Sequence, residues 1–198
     1  MSLGRERSRV HDVPYFDAFA PLYDAVMPSA ADAPLRAGLA YADGSVERVL
    51  DLGGGTGRAA RALGGATVVD ASRGMLEEAR ERGLPTVQGD VRHLPIRDSS
   101  ADAVIVVDAL HHFPDADRAL AEAARVLRPG GVLVIRDFDP GTVRGRLLVA
   151  AEHAVRFRSS FRGPNELLHA LSDAGFEPHV VERGFAFTVA GVREPGSR

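Results

Sequence analysis

The chain has 198 residues, a formal net charge of −3 at pH 7 and 45% hydrophobic residues, values typical of a single soluble domain with its own core. All 24 basic residues are arginine and cysteine is absent, which excludes a lysine Schiff base, a thiolate nucleophile, disulfides and cysteine-based zinc sites. The weak net charge gives no reason to expect nucleic acid or anionic lipid as a partner. Because no signal peptide or bilayer-length apolar stretch is recognisable, we expect a cytoplasmic protein without membrane insertion.

The amino-terminal part divides into two predicted regions. Residues 1–12 are polar and rich in arginine, which predicts a disordered arm. Residues 13–45 are predicted to form a helical lid, because three aromatic side chains recur at near-helical spacing, namely Phe16, Phe19 and Tyr23. Together with Tyr15, these rings could cover a bound ligand or fasten the helix to the core, and the pattern leaves both alternatives open.

From residue 46 onward, short strands alternate with helices. The predicted strands are Val46–Leu52, Thr67–Asp70, Thr86–Gln88, Ala103–Val107, Val132–Ile135, Phe176–Arg183 and Phe185–Val192. Helices are predicted after Ser72, from Ala116 to the stop at Pro129-Gly130-Gly131, over Gly141–Phe157 and over Pro164–Ala174. Since Gly184 alone separates the last two strands, they must run antiparallel.

This alternation predicts an α/β fold, a doubly wound Rossmann-like sheet with helices on both faces. We expect one domain over residues 13–198. Residues 46–140 form its ligand-binding half, and residues 141–198 supply further helices and a terminal β-hairpin.

The segment Val49–Gly57 reads Val-Leu-Asp-Leu-Gly-Gly-Gly-Thr-Gly and is the most informative part of the chain. A buried strand runs directly into a glycine-rich turn, as at sites where the backbone must approach a ligand closely. At the carboxyl edge of a parallel sheet, such a turn binds nucleotide-like molecules. The dinucleotide fingerprint requires a small residue at position 58, where this chain has Arg58, so the loop does not suit NAD.

Several motifs in register extend this pattern over residues 15–192. They are Tyr15-Phe-Asp, Tyr23-Asp24, the glycine segment, Val69-Asp70-Ala-Ser, Gln88-Gly-Asp90-Val91 with Leu94-Pro95, Ala101-Asp102, Ala109-Leu-His-His-Phe, Leu127-Arg-Pro-Gly-Gly and the Leu167–Phe176 segment. With them the chain resembles the class I S-adenosylmethionine-dependent methyltransferases, in particular the small-molecule branch of the ubiquinone and menaquinone C-methyltransferases. The resemblance implies a seven-stranded sheet whose carboxyl-terminal strand is antiparallel.

The resemblance also implies a function and a cofactor. The cofactor would be S-adenosylmethionine, with S-adenosylhomocysteine as product, and the methyl group would pass in line to an oxygen, carbon or nitrogen atom of a small molecule. We expect a monomer or a homodimer. Two alternatives remain open: a domain that binds the cofactor without catalysis, and, less favoured because of Arg58, a nicotinamide-dependent oxidoreductase.

The same resemblance implies which residues would bind each part of the cofactor. The glycine loop and Asp51 would hold the methionine part, Asp70 with Ala71 the ribose, and Asp90 with Val91 the adenine. Asp108 and Tyr23 would line the site. The full predicted binding set is Asp51, Gly53, Gly54, Gly55, Gly57, Asp70, Ala71, Asp90, Val91, Asp108 and Tyr23.

Residues next to the acceptor are less well specified by the sequence. His111 and Asp137 are the candidate catalytic side chains, whereas His112 is interpreted as structural. No metal is predicted, because adjacent histidines should point in different directions and no Glu or His stands at ligand spacing. The arginines of Arg156–Arg162 could bind an anionic substrate, although a solvated helix face is the more common explanation.

Overall fold

The computed structural model describes residues 13, 16, 17, 20, 32–154 and 159–196. The described helices are α1 (Asp32–Leu39), α2 (Arg58–Leu63), α3 (Arg73–Glu81), α4 (Ala116–Val126), α5 (Val143–Ala154) and α6 (Pro164–Asp173). The strands are β1 (Val49–Leu52), β2 (Thr67–Asp70), β3 (Thr86–Gln88), β4 (Ala101–Val107), β5 (Leu127–Phe138), β6 (Phe176–Glu182) and β7 (Ala186–Arg193). A 3₁₀ turn, Leu110–His112, follows β4.

All seven strands form one sheet in the order β3-β2-β1-β4-β5-β7-β6. The pairs from β3 to β5 are parallel, and β7 is antiparallel to both β5 and β6. This arrangement confirms the predicted mostly parallel, Rossmann-like sheet with an antiparallel carboxyl-terminal strand. Several predicted boundaries differ from the structure; β1, for example, begins at Val49 and not at Val46. The largest difference is that Pro129-Gly130-Gly131 belongs to β5, and α4 ends earlier, at Val126, so that helix passes into strand without a separate turn.

Strand β4 shows why the chain folds into three layers. All seven of its residues are buried, as expected for a central strand with helices on both faces. Val104 and Val106 face the layer formed by α4 and α6, whereas Ile105 and Val107 face the opposite layer with Leu35 of α1. Alternate side chains of one strand therefore fill two separate cores.

The region predicted as an amino-terminal lid contains a helix with a different position. Helix α1 packs on the sheet, where Leu35 is fully buried and a Cβ atom on Gly38 would lie 2.6 Å from Cγ1 of Val134. Glycine at this position allows the close approach. Of the predicted aromatic helix, Val13, Phe16, Asp17 and Ala20 are described and helical, while Tyr15, Phe19 and Tyr23 lie outside the described residues.

Asp102 fastens the amino-terminal end of the sheet together. Its carboxylate accepts hydrogen bonds from the Arg48 backbone and side chain, from the Glu47 backbone and from Arg128 Nε, at 2.8–3.3 Å. The Arg48 guanidinium is the main reason that the pKa of Asp102 lies well below its ordinary value, and the other donors add to it.

We expect Asp102→Ala to lower the free energy of unfolding by about 3 kcal/mol, because the substitution leaves buried donors and two guanidinium groups without their acceptor. Since the folded-state pKa is depressed, this contribution is present at neutral pH and disappears as the pH falls below about 4. Urea unfolding at pH 7 and pH 3 measures both effects. Asp98→Asn, at an exposed partner of Arg125, is the control and should change stability by less than about 0.5 kcal/mol.

None of the described helices is both long enough and apolar enough to cross a membrane.

Candidate cofactor-binding site

The carboxyl ends of β1 and β4 meet where the strand order of the sheet changes direction, with β2 and β3 on one side and β5 on the other. In parallel α/β sheets, ligands bind in the crevice at this point. A cleft with an empty volume of about 690 Å³, part of which is open to solvent, lies there. Its lining includes many of the predicted binding residues, namely Gly53, Gly55, Asp70, Ala71, Asp90, Val91 and Asp108.

The glycine loop forms one wall of this cleft, and its backbone requires glycine. Gly53 and Gly55 have φ angles of +66° and +56°, in the left-handed region that other residues rarely adopt. A Cβ atom on Gly53 would lie 2.9 Å from the ring of Phe113, and one on Gly54 would lie 2.5 Å from Cγ of Asp51. The loop therefore keeps its backbone exposed to the cleft because it has no side chains.

Asp51 lies beneath this loop in a smaller recess that it shares with Gly53, Gly54, Gly55 and Arg58. Its Oδ2 atom accepts a hydrogen bond of 3.2 Å from the Ala60 backbone N–H, while Oδ1 is buried and has no hydrogen-bond partner among the described residues. Burial raises the pKa of Asp51 to about 7. A buried acceptor with no partner is unfavourable unless a ligand donates to it.

Asp70 ends β2 on the other side of the loop. Its two oxygens accept from the backbone N–H groups of Gly55 and Ser72, at 2.9 and 2.8 Å. Burial raises its pKa, although these bonds oppose the shift. Ser72 caps α3 as predicted, by accepting from the Met75 N–H, and its hydroxyl donates to Asp17 at 2.6 Å. The carboxylate of Asp70 is thus fixed in place at the cleft wall.

Asp90 and Val91 follow β3 and also line the cleft. The Asp90 carboxylate forms a two-pronged ion pair with Arg92, at 2.6–3.1 Å, which lowers its pKa. The Arg92 guanidinium therefore already donates to both oxygens of the carboxylate that was expected to face the adenine. The proposed part of Asp90 in adenine recognition stays a prediction.

Asp108 follows β4 with a φ of +52°, an unusual conformation for an aspartate. Its carboxylate lies 3.5 Å from Nη2 of Arg58, and both side chains are largely buried. Burial raises the pKa of Asp108, and Arg58 opposes that change. The ion pair joins the end of β4 to the start of α2 across the glycine loop. Arg58, which argued against an NAD loop, thereby lies beside the recess that contains Asp51.

The two candidate catalytic residues are bonded to each other. His111 Nδ1 lies 2.6 Å from Asp137 Oδ1, and the His111 backbone N–H donates to Asp137 Oδ2 at 3.3 Å. Both residues are under 5% exposed. Burial opposes protonation of His111, but Asp137 and then Glu152 raise its pKa above the ordinary value. Asp137 therefore contacts His111 and does not itself face the open cleft.

His112 lines the cleft, whereas the sequence favoured His111 for the ligand side and a structural part for His112. The structure differs from this prediction because both histidines lie in a 3₁₀ turn, which sets the direction of each ring. The two ring centroids are 4.2 Å apart. The Phe16 ring also packs edge-on against His112, with the two ring centroids 5.3 Å apart. Burial, and then the neighbouring His111, lowers the pKa of His112 to about 3.

Some predicted residues lie elsewhere. Gly57 directly precedes α2 and packs against Leu84, since a Cβ atom there would clash with Leu84 Cδ1. Tyr23 is outside the described residues, as are Arg156 and Arg158. Arg162, the described member of that cluster, forms a two-pronged ion pair with Asp117 of α4. Sequence reasoning missed Met75, Phe113 and Pro114, which line the cleft but read as ordinary core or turn residues.

Comparison with known proteins shows which proteins the chain is similar to. A model described as a methyltransferase domain matches residues 50–135, which include the glycine loop, Asp70, Asp90 and Asp108. A solved structure of an S-adenosylmethionine-dependent methyltransferase from Thermotoga maritima superposes with a TM-score of 0.69 at 25% identity, covering 93% of this chain and 91% of the other. Residues 50–135 thus match a methyltransferase domain, and the chain as a whole shares the fold of an S-adenosylmethionine-dependent methyltransferase.

The relatives of the chain include two proteins with named activities. A demethylmenaquinone methyltransferase of Corynebacterium kroppenstedtii is 38% identical over 114 residues, 56% of this chain and 50% of that protein. A malonyl-[acyl-carrier protein] O-methyltransferase of Xylella fastidiosa is 33% identical over 183 residues, 85% of this chain and 62% of that protein. The matched part of the chain thus spans about half the length of its demethylmenaquinone methyltransferase relatives.

The described residues suit the cofactor of such methyltransferases. S-adenosylmethionine carries an ammonium group, a carboxylate and two ribose hydroxyls, so a site for it needs both acceptors and donors. Asp51 offers the buried Oδ1, the glycine loop leaves space for backbone approach, and the Asp70 carboxylate stands beside the loop. The two carboxylates, as acceptors, and the glycine loop, which lets the backbone come close to a ligand, therefore fit S-adenosylmethionine.

Proposed function

We propose that this chain transfers a methyl group from S-adenosylmethionine to a small-molecule acceptor. The observation that carries the proposal is Asp51 Oδ1, a buried acceptor that has no hydrogen-bond partner among the described residues and lies beneath the glycine loop. Such an atom calls for a cationic donor, and the ammonium of the cofactor's methionine part is one.

The proposed binding mode assigns one residue group to each part of the cofactor. Asp51 binds the ammonium, while backbone N–H groups of the glycine loop and the Arg58 guanidinium favour the carboxylate. Asp70 accepts from the ribose hydroxyls. Val91 and the Phe113 ring also line the cleft, and we place the adenine against them.

When bound, the cofactor supplies a methyl group on a sulfonium, which is already activated for displacement. The chain's own residues are then needed to orient the ligand and to exclude water. Apolar side chains at the cleft, such as Phe16, Phe113 and Met75, serve the exclusion of water. The carboxylates at Asp51 and Asp70 serve orientation.

Transfer of a labelled methyl group tests the proposal. The purified chain is incubated with methyl-labelled S-adenosylmethionine and with demethylmenaquinone or malonyl-acyl carrier protein, the acceptors in the names of the two relatives. We expect label in one acceptor and stoichiometric S-adenosylhomocysteine. Tight binding of the cofactor with no transfer to either acceptor or to a broader metabolite panel would favour the non-catalytic binding domain instead.

We expect Asp70→Ala to weaken binding of S-adenosylhomocysteine about 100-fold, the scale for losing charge-assisted hydrogen bonds to the ribose. Binding of 5′-methylthioadenosine, which has the same ribose but no amino-acid part, should weaken equally. Titration calorimetry with both ligands measures this. Because Asp70 also holds the Gly55 and Ser72 N–H groups, Asp70→Asn is included, since it keeps one acceptor oxygen. Unchanged affinity in both variants would remove Asp70 from the site.

A further inference from the structure

Three potential metal ligands converge beside the cofactor cleft. His111 and His112 come from the 3₁₀ turn after β4, and Glu152 comes from α5, forty-one positions after His111 in the sequence. One ligand atom from each residue lies within 4.8 Å of the other two. Spacing along the chain gives no sign of this cluster, because Glu152 is distant from the histidines in sequence and meets them only in the folded chain.

The first ligand is already oriented in the manner of a metal-binding histidine. His111 directs Nδ1 to the Asp137 carboxylate at 2.6 Å, and its Nε2 lies 3.7 Å from Glu152 Oε1. Phe161 stacks on the ring with its centroid 4.2 Å away, which prevents rotation. In metalloproteins, a carboxylate or carbonyl commonly accepts from the distal nitrogen of a ligating histidine and fixes its tautomer.

The charge of this cluster also favours a cation. Asp137 and Glu152 place two carboxylates against a single imidazole. A Ser159 hydroxyl donates to the other Glu152 oxygen and holds it in position. Buried carboxylates are stable when they are paired or bind a metal.

We propose that His111, His112 and Glu152 form a binding site for one divalent transition-metal ion, with Asp137 as the carboxylate that holds His111. Two imidazoles and one carboxylate suit Zn²⁺ or Co²⁺ better than Mg²⁺ or Ca²⁺, which prefer oxygen ligands only. Three protein ligands leave a coordination position open, as in catalytic zinc sites.

The open position has a consequence for the acceptor. His112 belongs to both the metal site and the cleft wall, so that a molecule bound to the ion would lie next to the cofactor. A divalent ion lowers the pKa of a bound hydroxyl, which favours an oxygen acceptor over carbon or nitrogen. This consequence rests on the proposed methyl transfer, whereas the metal site itself does not.

Titration with Co²⁺ tests the metal site. The chain is prepared without a histidine tag, dialysed against chelator and titrated while the visible absorption of tetrahedral or five-coordinate Co²⁺ is recorded. We expect one Co²⁺ per chain, displaced by Zn²⁺. Glu152→Gln should weaken binding about 100-fold, and Asp137→Asn by about 10- to 100-fold, the range for residues that hold a ligating histidine. His169→Gln, at an exposed histidine of α6, should bind Co²⁺ as the unmodified chain does.

Two results would overturn the metal site: no visible band, or equal Co²⁺ affinity in the unmodified chain and Glu152→Gln. S-adenosylhomocysteine binding is measured on the same samples and separates the two proposals. If the cofactor product binds and Co²⁺ does not, only the metal site fails; if Co²⁺ binds and the product does not, only the proposed function fails. Circular dichroism of each variant confirms that it is folded.

Discussion

Replacing Gly55 by valine is expected to abolish binding of S-adenosylhomocysteine, by about 1000-fold or more, on the order of 4 kcal/mol. The Cβ atom alone has room, since the nearest atom, Met75 Sδ, lies 3.6 Å away. The branched side chain, however, occupies the cleft that Gly55 lines. A φ of +56° is also strained for valine, so that the loop shifts and its N–H leaves Asp70.

Gly64→Val is the matched control. Gly64 also has a positive φ, +90°, but it follows the last residue of α2 outside the cleft, and a Cβ atom there would have no described atom within 4 Å. Both variants should lose about 1–2 kcal/mol of stability from backbone strain, measured by thermal unfolding. Only Gly55→Val should lose the ligand in titration calorimetry. If Gly55→Val binds normally, the glycine loop does not hold the cofactor.

Replacing Asp51 by asparagine is expected to stabilise the ligand-free chain and to weaken ligand binding. Burial raises the pKa of Asp51 to about 7, so its ionised form is disfavoured in the folded chain. An acid whose folded-state pKa is raised contributes most stability at low pH and loses that contribution as the pH rises from about 4 to about 7. Asparagine avoids burial of the charge and should add on the order of 2 kcal/mol at pH 8. Urea unfolding at pH 5 and pH 8 measures the difference.

The same substitution should reveal which part of the ligand Asp51 binds. The ionised carboxylate pairs with the ligand's ammonium, so affinity for S-adenosylhomocysteine should fall as the pH drops below about 7, by up to about tenfold per pH unit. Asp51→Asn should lower that affinity about 100-fold at pH 8 and should remove the pH dependence. Calorimetric titrations from pH 6 to pH 8.5 provide the measurement.

5′-Methylthioadenosine is the control ligand, because it lacks the amino-acid part. Its affinity should change less than about threefold with Asp51→Asn, in contrast to the equal loss of both ligands expected for Asp70→Ala. An equal loss of both ligands in Asp51→Asn would mean that the loop has collapsed, and Asp51 would then have no specific contact with the ammonium.

Most of the sheet could be predicted from local patterns. Thr67–Asp70 and Thr86–Gln88 agree residue for residue with β2 and β3, because β-branched residues stand between clear turn signals. The hairpin at Gly184 confirms the antiparallel strand. The limits of β5 were missed, since Pro129 and Gly130 usually end elements, whereas here pairing with β4 and β7 extends the strand in both directions.

The side chains at the site were predictable to different degrees. Gly53 and Gly55 belong to one short glycine segment, and Asp70 ends the next strand along the chain. Their positions follow from local patterns, and all three residues line the cleft. Asp90 was also predicted from its motif. Its ion pair with Arg92 was not, because that contact depends on the local path of the chain after β3. The contact between His111 and Glu152 had no sequence signal, because the two residues are distant in sequence and meet only in the tertiary structure.

The amino acids alone thus specify the strands, the glycine turn and the resemblance to methyltransferases, since period, turn chemistry and motif spacing act over a few residues. Tertiary packing decides the rest: which of two adjacent histidines faces the cleft, that a buried oxygen of Asp51 finds no partner in the described part of the chain, and that Glu152 meets the histidine pair. Those features depend on contacts between segments far apart in the chain, and such contacts exist only once helices and sheet have docked.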